Sequence, residues 1–197
     1  MNRSPSEQDR IVTALRRVGV EVTDVWDLVN TRQAYPRAIP LLIDFIKEGS
    51  ADRRTLEALV RALTVKEARG LAGRPLVQLF RSRPHEENNS LKWAIGNALS
   101  VVADESLLDD IITLVTDRQH GRSRQMLAEA LGTMKSARAV EVLIELLEDE
   151  EVAGHAVTAL GKLRARRART LIERFLKHPT TWIRNQAKQA LARIDKV

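Results

Sequence analysis

Apolar residues recur every three to four positions along most of this chain. The stripes they form predict a succession of short amphipathic helices. One clear stripe runs through Leu91, Ala94, Ile95, Ala98, Leu99 and Val102. The helices alternate between two types. The first type carries a compact apolar block: Leu42 to Ile46, Leu76 to Phe80, Ile111 to Val115, Leu143 to Leu147 and Leu171 to Phe175. The second type carries a polar residue, then Ala-Leu, then a small residue. It reads Arg61-Ala62-Leu63-Thr64, Asn97-Ala98-Leu99-Ser100, Glu129-Ala130-Leu131-Gly132, Thr158-Ala159-Leu160-Gly161 and Gln189-Ala190-Leu191-Ala192. These alanines stand 36, 32, 29 and 31 residues apart. A period near thirty predicts stacked helix pairs, each burying its apolar face against its neighbours. Nowhere do β-branched residues alternate with polar ones between turn residues, so no strand is predicted.

The chain starts differently. Residues 5–18 predict a first helix, with Ser4 as cap, Pro5 in the first turn and Ile11, Leu15 and Val18 as its stripe. Gly19 stops it. A second, shorter helix is expected at 23–31, capped by Thr23, with Trp26 in its core. This pair lacks the Ala-Leu signature and is read as a divergent N-terminal cap over residues 1–35. Connections elsewhere are short and polar, and Thr180 or Thr181 is expected to cap the final helix. The longest irregular stretch, Ser82 to Ser90, predicts a protruding loop. Gly132 and Gly161 each lower helix propensity by about 1 kcal/mol, which a close helix contact would offset.

The signature and its spacing resemble HEAT repeats, in particular the short bacterial type shared with phycobilin-lyase HEAT-like proteins. The resemblance is best over Ser136 to Ile194. There Ala139 to Asp149 looks like the family's first helix, Val152 to Gly161 like its second, and Trp182-Ile183-Arg184 with Ala187 and Ala190-Leu191 like the last. It implies an all-α, right-handed α-solenoid of about six stacked antiparallel helix pairs. Residues 1–197 would form one domain, with five repeats over 36–197.

In such solenoids the second helices line the concave face. Taking the Ala-Leu direction as core, positions eight, five and one before each alanine point away from it. The expected partner-binding residues are therefore Trp93, Asn97, Arg122, Gln125, Glu129, Trp182, Asn185 and Gln189. Arg54, Glu57, Arg61, Ser90, Glu151, Gly154 and Thr158 complete the ladder. Trp93 is either an exposed anchor for a partner or packed beneath the 82–90 loop. For Trp182 a contact with the preceding repeat competes with a binding role. Positions six before the alanine (Lys92, Arg124, Arg184) sit on the flank, where HEAT-like repeats often carry an arginine that hydrogen-bonds between repeats.

Charge adds a second candidate surface. The net charge is +6, yet residues 161–197 hold eleven Lys or Arg against two Asp or Glu. Positions 141–151 are acidic with no basic residue. Arg164, Arg166, Arg167 and Arg169, with Arg124, Arg184 and Lys188, are the candidate anion or nucleic-acid contacts. The run at 164–169 spans a turn, where it is either a phosphate site, a solvated surface or a complement to the acidic stretch.

Catalytic chemistry finds little support. There is no cysteine, so neither disulfides nor thiolate metal sites can form, and the four histidines lack metal-ligand spacing. No metal or cofactor is expected. Some HEAT-like proteins are DNA glycosylases for alkylated bases, using aromatics and a carboxylate in a basic groove. Here no Asp falls on the ladder, and Glu57, Glu129 and Glu151 mix its sign. Residues 1–10 lack an apolar segment, and no run reaches membrane-spanning length, so a cytoplasmic protein is expected. The function expected is a non-enzymatic scaffold for a protein or peptide, with nucleic-acid binding as the alternative.

Overall fold

The computed structural model describes residues 6–49, 52–83 and 90–196. Among them the chain is all-α, with twelve α-helices linked by short 3₁₀ turns. They fall into two compact units of three helix pairs each.

The first unit holds α1 (Glu7–Arg17), α2 (Trp26–Asn30), α3 (Ile39–Glu48), α4 (Arg53–Ala62), α5 (Gly73–Ser82) and α6 (Ser90–Val102). The second holds α7 (Leu108–Thr116), α8 (Gln125–Leu131), α9 (Ala137–Glu145), α10 (Ala153–Lys162), α11 (Arg169–Glu173) and α12 (Thr181–Ile194). Odd and even helices from α3 onward are the two sequence types. All five apolar blocks fall on first helices or their 3₁₀ extensions, and all five signatures at the ends of second helices. The signature alanines 62, 98, 130, 159 and 190 are all buried.

Local chemistry sets the boundaries. Ser6 caps α1 through a reciprocal bond with Asp9. Ser4, expected in that role, lies outside the described residues. Gly19 ends the helix with φ at 81°, a conformation that glycine adopts without strain. Asp27 accepts from the Thr23 and Asp24 amides, so α2 begins only at Trp26 and spans five residues. Trp26 is half-buried rather than fully in the core, with the Arg61 guanidinium 6.0 Å from its ring. Thr180 does precede α12, but its side chain makes no capping bond. Four first helices are entered through a three-residue 3₁₀ turn ending in a buried apolar residue: Ala38, Ala68, Leu107 and Ala168. The basic run is one of these turns. Ala165 and Ala168 point inward, which leaves Arg164, Arg166, Arg167 and Arg169 exposed.

Within the second unit α10 packs extensively against both α8 and α12. Glycine makes this closeness achievable. A Cβ on Gly132 would lie 2.7 Å from Ala159, and one on Gly161 would lie 2.6 Å from Ala190. The small residue that follows Ala-Leu in one repeat thus receives the signature alanine of the next.

Candidate functional site

The basic residue six positions before the alanine has one job in three repeats. Lys92 Nζ donates to Arg83 O at 2.8 Å, Arg124 Nε to Gly121 O at 3.1 Å, and Arg184 Nη1 to His178 O and Pro179 O at 2.7 Å. Each cation satisfies carbonyls of the turn between the paired helices. Arg124 goes further. It is 1% exposed and also binds Asp149 and Glu151 of the next repeat, both at 2.8 Å. Arg124 therefore cannot serve as an anion site, because its charge is buried and already matched by two carboxylates.

The rest of the basic region is largely paired too. Arg167 lies 3.6 Å from Glu141, and Arg174 reaches Glu148, both within the acidic stretch. Arg169 lies 2.8 Å from Asp195 and 2.5 Å from Glu173. Arg164, Arg166 and Lys188 are exposed.

The ladder residues separate by position. Those eight before the alanine (Arg54, Ser90, Arg122, Glu151, Trp182) are exposed in every repeat. In the first unit Trp93 and Asn97 are half-buried. Residues 84–89, the part of the loop expected to bear on Trp93, lie outside the described residues. In the second unit, groups of the following repeat contact the positions five and one before the alanine. Gln125 donates to Glu151 O at 2.9 Å. Thr158 donates to Gln186 Oε1 at 3.1 Å. Glu129 is only 8% exposed, because Lys162 and His155 of α10 close over it. It is a buried ion-pair partner rather than an open contact residue. Asn185 and Gln189 on α12 remain exposed.

One aromatic seat emerges from this lacing. The Trp182 ring rests on Gly154, where any Cβ would collide with it. The ring also packs on His155, with ring centroids 4.9 Å apart and planes tilted by 46°. His155 Nδ1 lies 3.4 Å from Glu129 Oε1, and Lys162 binds the other oxygen of that carboxylate. With its underside covered, Trp182 is still 42% exposed. The sequence marked Trp182 and Glu129 but not His155, whose place beside them depends on the packing of three repeats.

Two carboxyls in this region are held below the usual carboxylate range. Burial pushes the Glu129 carboxyl up, and bonding to His155 and Lys162 more than reverses it. Burial likewise pushes Asp149 up, and Arg124 outweighs it. A carboxyl depressed in the folded state stabilises the fold above its unfolded pKa, and that contribution is lost as pH falls through the folded value. The urea midpoint should therefore be flat near neutrality and fall in the acid range. Glu129→Gln should make that fall shallower; an unchanged acid limb would exclude Glu129 from it.

Among the described residues no group of acidic and histidine side chains could hold a metal ion, and no helix is long and apolar enough to cross a membrane. Residues 73–152 match the family of HEAT repeats. The fold is similar to crystal structures of two engineered proteins from the Northeast Structural Genomics Consortium. One has a TM-score of 0.57 at 20% identity, covering 96% of this chain and 97% of its own. The other has a TM-score of 0.55 at 17% identity, covering 98% and 100%. No curated protein matches the sequence.

Proposed function

Because the chain is a HEAT-like repeat protein, we propose that it is a non-enzymatic interaction module that binds a partner protein or peptide. HEAT repeats commonly serve as protein-interaction scaffolds. The observation that carries the proposal here is the seat of Trp182. Gly154 is a poor helix former in the first turn of α10, yet its missing side chain is what lets the indole approach so closely. The ring is thereby fixed without being hidden. A rigid, partly exposed aromatic group offers a large contact area and loses little conformational entropy on binding.

The surroundings favour a protein over a polyanion. Arg124 is buried, Arg167 and Arg169 face carboxylates, and the Trp182 seat is bordered by polar groups of mixed charge. The test is affinity capture with cross-linking and mass spectrometry on wild type and Trp182→Ala. Proteins cross-linked to α12 in wild type should be lost in the variant, while its melting temperature falls by only a few degrees. Retention of the same partners by the variant would remove Trp182 from the interface.

A further inference from the structure

The interaction reading leaves open what kind of chain the partner presents. Helix α12 bears on this more than any other element. Its buried side is made of Ile183, Ala187, Ala190 and Ile194. Its other side presents Trp182, Asn185, Lys188, Gln189, Ala192 and Arg193, all exposed. At 100° per residue these six fall within an arc of about 140°, so they form one continuous stripe.

Two comparisons within the fold give the stripe its meaning. The first is with α10. Matching Ala159 to Ala190 places Gly154, Val157, Thr158 and Gly161 where α12 has Asn185, Lys188, Gln189 and Ala192. Those α10 residues are buried, and Gly154, Thr158 and Gly161 touch α12. Small side chains there admit a helix at close range. Lys188 is the departure: it stands exposed where the four other second helices bury Val60, Gly96, Ala128 and Val157, so α12 lacks the apolar position on which α10 seats a helix. The second comparison is of charge. Between Thr181 and Ile194 there are three basic residues and no acidic one. Arg184 is committed to carbonyls of the preceding turn. Lys188 and Arg193 have no carboxylate partner among the described residues, unlike Arg167, Arg169 and Arg174.

We infer that the open stripe of α12 binds an acidic, extended peptide segment carrying an apolar residue, a specification that rests on the interaction-module reading. The apolar side chain lies on the exposed part of the Trp182 indole. Asn185 and Gln189, one helical turn apart, offer side-chain amides that pair with peptide N–H and C=O groups. Lys188 and Arg193 flank this row and meet the carboxylates. From Trp182 to Arg193 the helix rises about 16 Å, the span of roughly five extended residues.

Fluorescein-labelled short peptides that alternate glutamate with leucine are a direct probe. Versions with glutamine or lysine replacing glutamate, and an oligothymidylate of matching length, serve as comparisons. Anisotropy titrations of the full chain at low salt should show the glutamate peptide binding about tenfold tighter than the glutamine one. Lys188→Glu/Arg193→Glu should erase that preference without altering the circular dichroism spectrum, as both sites are exposed. Trp182→Ala should weaken the glutamate and glutamine peptides alike. Equal affinity for these two peptides would overturn the acidic assignment and leave the interaction module standing. Peptide binding indifferent to Trp182→Ala would remove Trp182 from the interface and overturn the assignment to the α12 stripe. No binding by any peptide, or binding by the oligothymidylate alone, would overturn the peptide assignment.

Discussion

Arg124→Met is expected to destabilise the second unit by about 3 kcal/mol, a loss of roughly 6–12 °C in melting temperature for a chain of this size. The arginine closes three accounts at once. It satisfies the Gly121 carbonyl of the turn and the Val115 carbonyl at the end of α7, it neutralises Asp149, and it reaches Glu151. Methionine fills a similar volume, so the loss is electrostatic and not a cavity effect. Asp149 would be left nearly buried, with Arg118 at 3.7 Å as its remaining cation. Leaving one charge of a buried pair without its partner is the costly case, whereas removing both can be nearly neutral. Asp149→Asn in the Arg124→Met background should therefore recover part of the loss. Arg124→Lys should recover little, since an ammonium cannot span two carboxylates and the carbonyls. Urea denaturation of wild type, Arg124→Met, Asp149→Asn and the double variant forms the cycle. A loss below about 1 kcal/mol for Arg124→Met would mean that the cluster is solvated and that the repeats are held by apolar contacts alone.

How far the sequence speaks for this architecture depends on the range of each interaction. The helices and their pairing follow from a 3.6-residue stripe and a short signature, both local, so the alternation from α3 to α12 is readable in advance. The entry turns at Ala38, Ala68, Leu107 and Ala168 are too short to show periodicity, yet their buried residue recurs ahead of four first helices and explains why the 164–169 run alternates inward alanines with outward arginines. Glu129 shows where a single-helix projection ends. The wheel directs it away from its own core, which is correct, but it cannot reveal that Lys162, one repeat later, folds over it. His155 escapes for the same reason. On its own helix it is a polar residue among small ones; it becomes informative only when Trp182 and Glu129 arrive from either side.

The signature glycines offer the sharpest test of the stacking. Gly161→Ala would raise helix propensity by about 1 kcal/mol if α10 were judged alone. In the stack it is expected to lower stability by up to about 2 kcal/mol instead, the roughly 1–3 kcal/mol cost of overpacking a fixed contact less the propensity gain. The added methyl would sit 2.6 Å from both Cα and Cβ of Ala190. A side chain could rotate away from such a contact, but backbone can yield only if α12 shifts as a body. Gly132→Ala, placed 2.7 Å from Ala159, should behave the same way. Ala190→Gly should rescue Gly161→Ala only in part, because it removes the Cβ from the contact and leaves the Cα. Gly49→Ala separates steric from conformational effects: its φ of 80° strains any larger residue, while nothing lies within 4 Å of the added carbon. Its defect should therefore not respond to Ala190→Gly. A gain in denaturation midpoint for Gly161→Ala would show that α10 and α12 have room between them, and that the recurring small residue reflects something other than close stacking.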